Sequence, residues 1–251
     1  MQIVGYRRRT APDETAALLV AGGDVSDGER AEVERLALAP GTDLAYTLSE
    51  RHCAGVVTDG RHQPCATPRA PYCEAHTVPW AAANNADSRE EHAVYLAAFA
   101  PDAFKVGVTR SWRLETRLRE QGADRAAHVH TVSNGRTARE VESDIAATVG
   151  DSVRVATKIE GLDREVDEVA WSDLLADFRV IETFAFDYGL DLDRRPVPET
   201  MLTGAVRGTK GRALVLDRAG TTYAVDMRDL VGYDLRPGAD DREVQASLTG
   251  F

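Results

Sequence analysis

Residues 94–109 read Val94-Tyr95-Leu96-Ala97-Ala98-Phe99, then Ala100-Pro101-Asp102-Ala103, then Phe104-Lys105-Val106-Gly107-Val108-Thr109. The outer runs are rich in β-branched and aromatic residues, and Pro101-Asp102 is turn chemistry, so the stretch predicts a hairpin. Side chains alternate along a strand. Phe104, Val106 and Val108 therefore point one way, and Lys105, Gly107 and Thr109 the other. Ser111 is placed to cap a helix over about residues 112–121, which Gly122 ends. Leu114 and Leu118 fall on its inner face. Arg113 and Arg117, four apart, share a neighbouring one.

Residues 126–132 predict a third strand. Thr137-Ala138-Arg139-Glu140 has the form of a capping box, with Thr137 as N-cap and Glu140 folding back to it. That helix runs to about Val149 and stops at Gly150. Ala138, Glu142 and Ile145 recur at helical spacing, which turns Glu142 toward the sheet among apolar neighbours. Residues 152–159 are expected to be extended. Residues 164–188 are expected to form a long helix with Val166, Val169, Leu174 and Phe178 inward.

Upstream, all three cysteines of the chain fall within 21 residues, as Cys53, Cys65 and Cys73, with His76 close behind. Thiolates and an imidazole are the ligands Zn²⁺ takes in a closed tetrahedral site. Such grouping argues for a metal over chance burial. His62 is the alternative to His76 as fourth ligand. Four protein ligands leave no position for water, so the zinc is expected to be structural. Free thiols imply a reducing compartment, and the expected location is cytoplasmic.

The flanks read as β structure. Ile3-Val4, Leu18-Leu19-Val20 and residues 44–48 are strand-like. Residues 24–34 are polar and acidic and are expected to be helix or loop. Residues 84–88 mark a connector, and Pro196-Val197-Pro198 a linker. Four short strands are expected near 202–206, 213–216, 222–227 and 231–235, with turns at Gly208, Gly211, Gly220 and Asp229. Gly208-Thr209-Lys210-Gly211 is too short for a phosphate loop and reads as a turn. The expected division is 1–49, an N-terminal β segment; 50–80, a zinc-binding module; 90–195, the central domain; and 198–251, a small antiparallel β unit.

Composition sets limits. No apolar run reaches the ~18 residues that span a bilayer, so no membrane partner is expected. The Arg7-Arg8-Arg9 cluster lacks the apolar stretch of an export signal. The net charge of −11 repels polyanions at long range. The basic residues are 27 arginines against three lysines (Lys105, Lys158, Lys210). An acidic, lysine-poor surface suits concentrated salt, where screening leaves local charge to decide. A halophilic setting is the corresponding expectation. Dinucleotide, serine-hydrolase and kinase signatures are absent from the sequence.

The order strand-strand-helix-strand-helix over residues 93–149, with eight residues between Val94-Tyr95-Leu96 and Lys105-Val106-Gly107, resembles the GIY-YIG nuclease superfamily. The runs Val94-Tyr95-Leu96-Ala97-Ala98-Phe99, Lys105-Val106-Gly107-Val108-Thr109-Arg110 and Arg117-Leu118-Arg119-Glu120-Gln121-Gly122-Ala123, behind the cysteine cluster, are also similar to a domain-of-unknown-function family, number 2797, a likeness that spans about residues 44–235. The superfamily resemblance implies phosphodiester hydrolysis on DNA. It assigns site roles to Tyr95, Lys105, Gly107, Thr109, Arg117 and Glu142. Glu142 would hold one Mg²⁺. Arg117 would stabilise charge on the phosphate, and Tyr95 would orient or deprotonate water. Arg110, Arg113 and Arg119 would contact nucleic acid, with Arg125 nearby. The chain departs from the pattern at two positions: Ala93 or Val94 replaces the first glycine, and Lys105 the second tyrosine.

Plainer roles stand beside these. Tyr95 is also a natural core residue, and Glu142 a natural partner for Arg117. The arginines have Glu115, Glu120 and Asp124 to balance them, and His92, His128 and His130 are ordinary strand residues. The expected fold is α+β: a GIY-YIG-like ββαβα core with an N-terminal zinc-binding β module and a C-terminal antiparallel β unit. The expected function is nucleic-acid binding, DNA favoured, with Mg²⁺-dependent endonuclease activity as what the resemblance implies. The alternative is a non-catalytic zinc-containing adaptor for nucleic acid or protein. A third reading is an enzyme acting on a small phosphorylated substrate.

Overall fold

The computed structural model describes residues 1–22, 31–77 and 88–242. In chain order the first strands are β1 (Gln2–Arg7), β2 (Ala17–Ala21), β3 (Ala31–Ala37), β4 (Asp43–Arg51), β5 (Val56–Thr58) and β6 (Arg61–Gln63). The central elements are β7 (His92–Phe99), β8 (Ala103–Arg110), α1 (Leu114–Gln121), β9 (Arg125–Val132), α2 (Gly135–Val149), α3 (Val155–Glu160), α4 (Glu168–Leu175) and β10 (Glu182–Ala185). The last are β11 (Val197–Pro198), β12 (Leu202–Lys210), β13 (Ala213–Arg218), β14 (Thr221–Asp226), α5 (Met227–Leu230) and β15 (Tyr233–Pro237). The fold is α+β, and the chain forms two units.

The first unit joins residues 1–9, 13–79 and 196–251. Its strands run β11-β14-β13-β12-β4-β15-β1-β2-β3-β6-β5 in one sheet, antiparallel except where β11 meets β14. Strands from the stretches 1–49, 50–80 and 198–251 pair within this one sheet. β4 makes the junction: Tyr46 pairs with Leu202 on one side, and Leu48 with Leu235 on the other. Burying Ile3, Leu18, Leu44, Leu202, Leu214, Leu216 and Tyr223 in one core favours this union. Each such side chain contributes about 1.5–3 kcal/mol on leaving water. Residues 31–34, expected as helix or loop, begin β3 instead; the alternating glutamates are its solvent face. The rest of the 24–34 segment, and residues 84–87 of the expected connector, lie outside the described residues.

The second unit comprises residues 10–12 and 80–195. Its sheet runs β10-β9-β7-β8, all antiparallel. β7 is central and buried along its whole length. Ala93, Tyr95, Ala97 and Phe99 meet Leu114 and Leu118 of α1 on one face. Val94, Leu96 and Ala98 meet α2 and α4 on the other. The expected hairpin forms, with Tyr95 directly opposite Gly107.

Four local expectations need correction. Ser111 does not cap α1; Ser111–Arg113 form a 3-10 turn, and Arg113 precedes α1 with no side-chain cap. The N-cap of α2 is Asn134, whose side chain accepts from the Thr137 backbone N–H at 2.9 Å, so Thr137 and Glu140 lie inside the helix. Residues 155–160 are helix α3, which buries Ile159, and not an extended run. The long helix expected over 164–188 is the short α4, capped by Asp167, followed by strand β10. Val166, Leu174 and Phe178 still reach the core, from a helix and its flanking loops, while Val169 is exposed.

Candidate functional site

Two constellations of chemically active side chains stand out, one in each unit. In the first, β4 delivers the chain to Cys53, the β5–β6 hairpin returns it to Cys65, and a turn carries Cys73 and His76. In that turn the His76 N–H donates to the Cys73 carbonyl at 3.0 Å. The three Sγ atoms and the His76 ring nitrogen lie within 4.8 Å of one another. Nδ1 of His76 is 3.3 Å from Cys53 Sγ and 3.2 Å from Cys73 Sγ, and Cys65 Sγ is 4.0 Å from Cys73 Sγ. Tetrahedral zinc bonds of ~2.3 Å to sulfur and ~2.0 Å to nitrogen put ligand atoms about 3.5–3.8 Å apart. The spacing therefore fits a metal such as zinc.

The surroundings act on two of the thiols in opposite directions. Backbone N–H groups of Gly55 and Cys73 donate to Cys53 Sγ at 3.4 and 3.3 Å. Burial pushes the Cys53 thiol up, while these donors oppose it. The Thr67 hydroxyl and backbone pull Cys65 down to about 6. His62 is not part of the group. Its buried ring contacts the Ala54 carbonyl at 2.9 Å, so the fourth position belongs to His76.

In the second unit a cavity of about 260 Å³ is lined by His92, Val108, Thr109, Arg110, Arg113, Arg117, Gly135 and Arg139. Four of the eight are arginines and none is acidic. Carboxylates hold the guanidiniums in place. Glu90 takes Arg110 at 2.8 Å, Glu120 takes Arg113 at 3.2 Å and Arg117 at 3.4 Å, and Glu142 takes Arg139 at 2.7 Å. Gly135 is the first residue of α2, so the positive end of that helix's dipole also borders the cavity. Arg139 and Gly135 escaped the sequence reading. Arg139 sits one helical turn before Glu142, a spacing that signals an ion pair but not which hollow it borders.

Tyr95 lies buried, 1% exposed, and accepts a hydrogen bond from Gln121 Nε2 at 2.6 Å. Burial raises its pKa, opposed first by the Arg117 charge, while Glu142 pushes it further up. It is a neutral phenol at pH 7, poorly suited to removing a proton. Burial lowers the Lys105 pKa, and Arg117 adds to the effect while Glu142 and Asp151 resist it. Tyr95, Lys105, Arg117 and Glu142 thus share one electrostatic neighbourhood, and Thr109 and Arg117 reach the cavity itself. A side chain at 107 would collide with the Tyr95 ring, so Gly107 is a packing requirement. Glu142 pairs with Arg139; the expected partner Arg117 is held by Glu120 instead. Arg119 is engaged elsewhere, chelating Glu115 at 2.8 and 3.1 Å and lying over Phe186, and Arg125 pairs with Glu168. Of the three arginines expected to contact nucleic acid, Arg110 and Arg113 line the cavity and Arg119 does not.

The structure therefore defines an α+β protein with a metal-type Cys₃His cluster and an arginine-lined cavity. Residues 69–189 match the family model described as protein of unknown function (DUF2797), which is the family the sequence resembles. That stretch holds the whole cavity lining, Cys73 and His76, while Cys53 and Cys65 precede it. No curated protein and no solved structure matches the chain. Among the described residues, no helix is long and apolar enough to cross a membrane.

Proposed function

We propose that the second unit is a GIY-YIG-like module that binds nucleic acid, DNA by preference, through its phosphates. The observation that carries this reading is the cavity with four arginines and no acid in its lining, in a chain of net charge −11. Guanidinium forks match phosphate oxygens, and a helix N-terminus adds further donors and positive potential. In an acidic chain, phosphate contact would be favoured where arginines gather, as they do here. The Cys₃His cluster is, on the same proposal, a structural zinc site that orders the loops after β4, in a reducing cytoplasmic setting.

A second reading adds Mg²⁺-dependent endonuclease activity, favoured by the shared neighbourhood of Tyr95, Lys105, Arg117 and Glu142. Glu142 offers one hard oxygen donor, and Mg²⁺ commonly binds through one or two carboxylates with water and phosphate completing the shell. The ion would supply charge stabilisation at the phosphoryl oxygens. The neutral, buried Tyr95 favours the binding reading over the catalytic one.

Fluorescence anisotropy with labelled DNA duplexes at several salt concentrations tests the binding. Replacing both Arg113 and Arg117 by Ala should weaken binding at least about tenfold and flatten the salt dependence. Equal affinity of variant and wild type would remove the cavity from the interface. Nicking of supercoiled DNA with Mg²⁺, lost in Glu142→Ala, would establish the second reading; no nicking by wild type would dismiss it.

A further inference from the structure

Trp112 is 69% exposed, the most exposed aromatic ring among the described residues with large exposed apolar side chains. It sits in the Ser111–Arg113 turn, between cavity residues Arg110 and Arg113. Isolated exposed apolar residues are ordinary, but a tryptophan flanked on both sides by cavity arginines is a different case. Arg113 approaches the ring at 5.9 Å, near the limit of cation–π attraction, and is itself held by Glu120. The ring's π-surface is therefore still available to a ligand.

We infer that Trp112 is a stacking platform for an unpaired base whose phosphate lies among the cavity arginines, so the ligand is single-stranded DNA. The inference rests on the nucleic-acid reading of the cavity and narrows it. Inside a duplex both faces of a base are covered by its neighbours; only an unpaired base has a face to offer an aromatic ring. Trp112 and Arg113 are adjacent in the chain, so a base on one and a phosphate on the other belong to the same or the next nucleotide. Arginine contacts together with an aromatic platform are the combination by which proteins hold single strands without reading their sequence.

The experiment compares full-length wild type, Trp112→Ala and Trp112→Phe, using a labelled oligothymidine and a labelled duplex of equal length. Trp112→Ala should weaken oligothymidine binding about tenfold or more and leave duplex binding unchanged. Trp112→Phe should restore most of the affinity. Intrinsic fluorescence should be quenched by unlabelled oligothymidine in wild type, and the Trp112 part of that signal should vanish in Trp112→Phe; Trp80 and Trp171, present in both proteins, are the common background. A high exposure predicts unchanged melting for both variants, which separates the effect from misfolding. Equal single-strand affinity in wild type and Trp112→Ala, or equal losses on strand and duplex, would overturn the stacking role while the arginine reading stands. Absence of binding to either DNA by wild type would overturn both.

Discussion

Gly107→Ala tests the packing on which the second unit's site is built. Gly107 faces Tyr95 across the β7–β8 pair. A Cβ at this position would lie 2.5 Å from Tyr95 Oη, 2.6 Å from Cζ and 3.0 Å from Cε2. Non-bonded carbons prefer about 3.5–4.0 Å, so the ring would have to retreat by about 1 Å. It has little room, being 1% exposed and bonded through Oη to Gln121 at 2.6 Å. Overpacking of this kind costs about 1–3 kcal/mol. Alanine recovers about 0.4–1 kcal/mol by restricting the unfolded chain. The net loss is about 1–2 kcal/mol, which lowers Tm by roughly 2–8 °C in a chain of this size. Thermal unfolding of Gly107→Ala, Tyr95→Leu and the double variant completes a cycle. Tyr95→Leu alone opens a cavity and costs about 2–4 kcal/mol. In the double variant the added methyl occupies vacated space, so the losses should fall short of additivity by about 1 kcal/mol or more. An equal Gly107→Ala cost in both backgrounds, or no cost in the wild-type one, would refute the reasoning.

Freshly purified protein should carry about one zinc per chain by elemental analysis. Cys73→Ser should lower that content sharply and destabilise the fold, since structural zinc contributes on the order of 10 kcal/mol in small zinc peptides at neutral pH; full zinc content in the variant would end the claim. Tyr223 should contribute to alkaline behaviour. Its hydroxyl donates to the Thr203 carbonyl at 2.9 Å, and burial pushes its pKa from 10.0 to about 12. A raised folded pKa stabilises the protonated form, so the contribution is complete below pH 10 and is lost as pH climbs toward 12. The loss is of order 2 kcal/mol. Tyr223→Phe should flatten the fall in stability across that window, and an identical slope in both proteins would contradict the assignment.

The hairpin, α1 and β9 were legible because each carries a strong local pattern: alternation in 94–109, Leu114 and Leu118 four apart, and a glycine at 122 that adopts φ 72°. The Cys₃His grouping was legible because sequence proximity already limits how far four ligands can separate. Elsewhere local signals misled. Thr137 and Glu140 satisfy the capping-box pattern, yet Asn134 is the cap; two candidates three residues apart differ only in where the preceding strand releases the chain. Val166, Leu174 and Phe178 mimic a helical stripe, although tertiary burial collects them from different backbone conformations. The pairing of Tyr46 with Leu202 spans most of the chain, and no periodicity encodes it. Arg139 reaches the cavity only because α2 and β8 lie side by side.

The Arg139–Glu142 pair bears on whether binding and hydrolysis are rival functions. At 2.7 Å, with the Glu142 side chain 15% exposed, the carboxylate is the anion nearest Arg139 in this structure. Under the proposed function, an entering phosphate offers Arg139 a second anion in the same hollow. Arg139 cannot shed its charge, so it must share its donors between the two or turn toward the newcomer. Whatever contact Glu142 loses is oxygen made available near the site, where its charge already acts on Lys105 and Tyr95. Under that proposal, phosphate binding is what would free the carboxylate, and the binding reading would be a prerequisite of the catalytic one. A protein that binds DNA without cutting it would fit a carboxylate that never leaves its arginine.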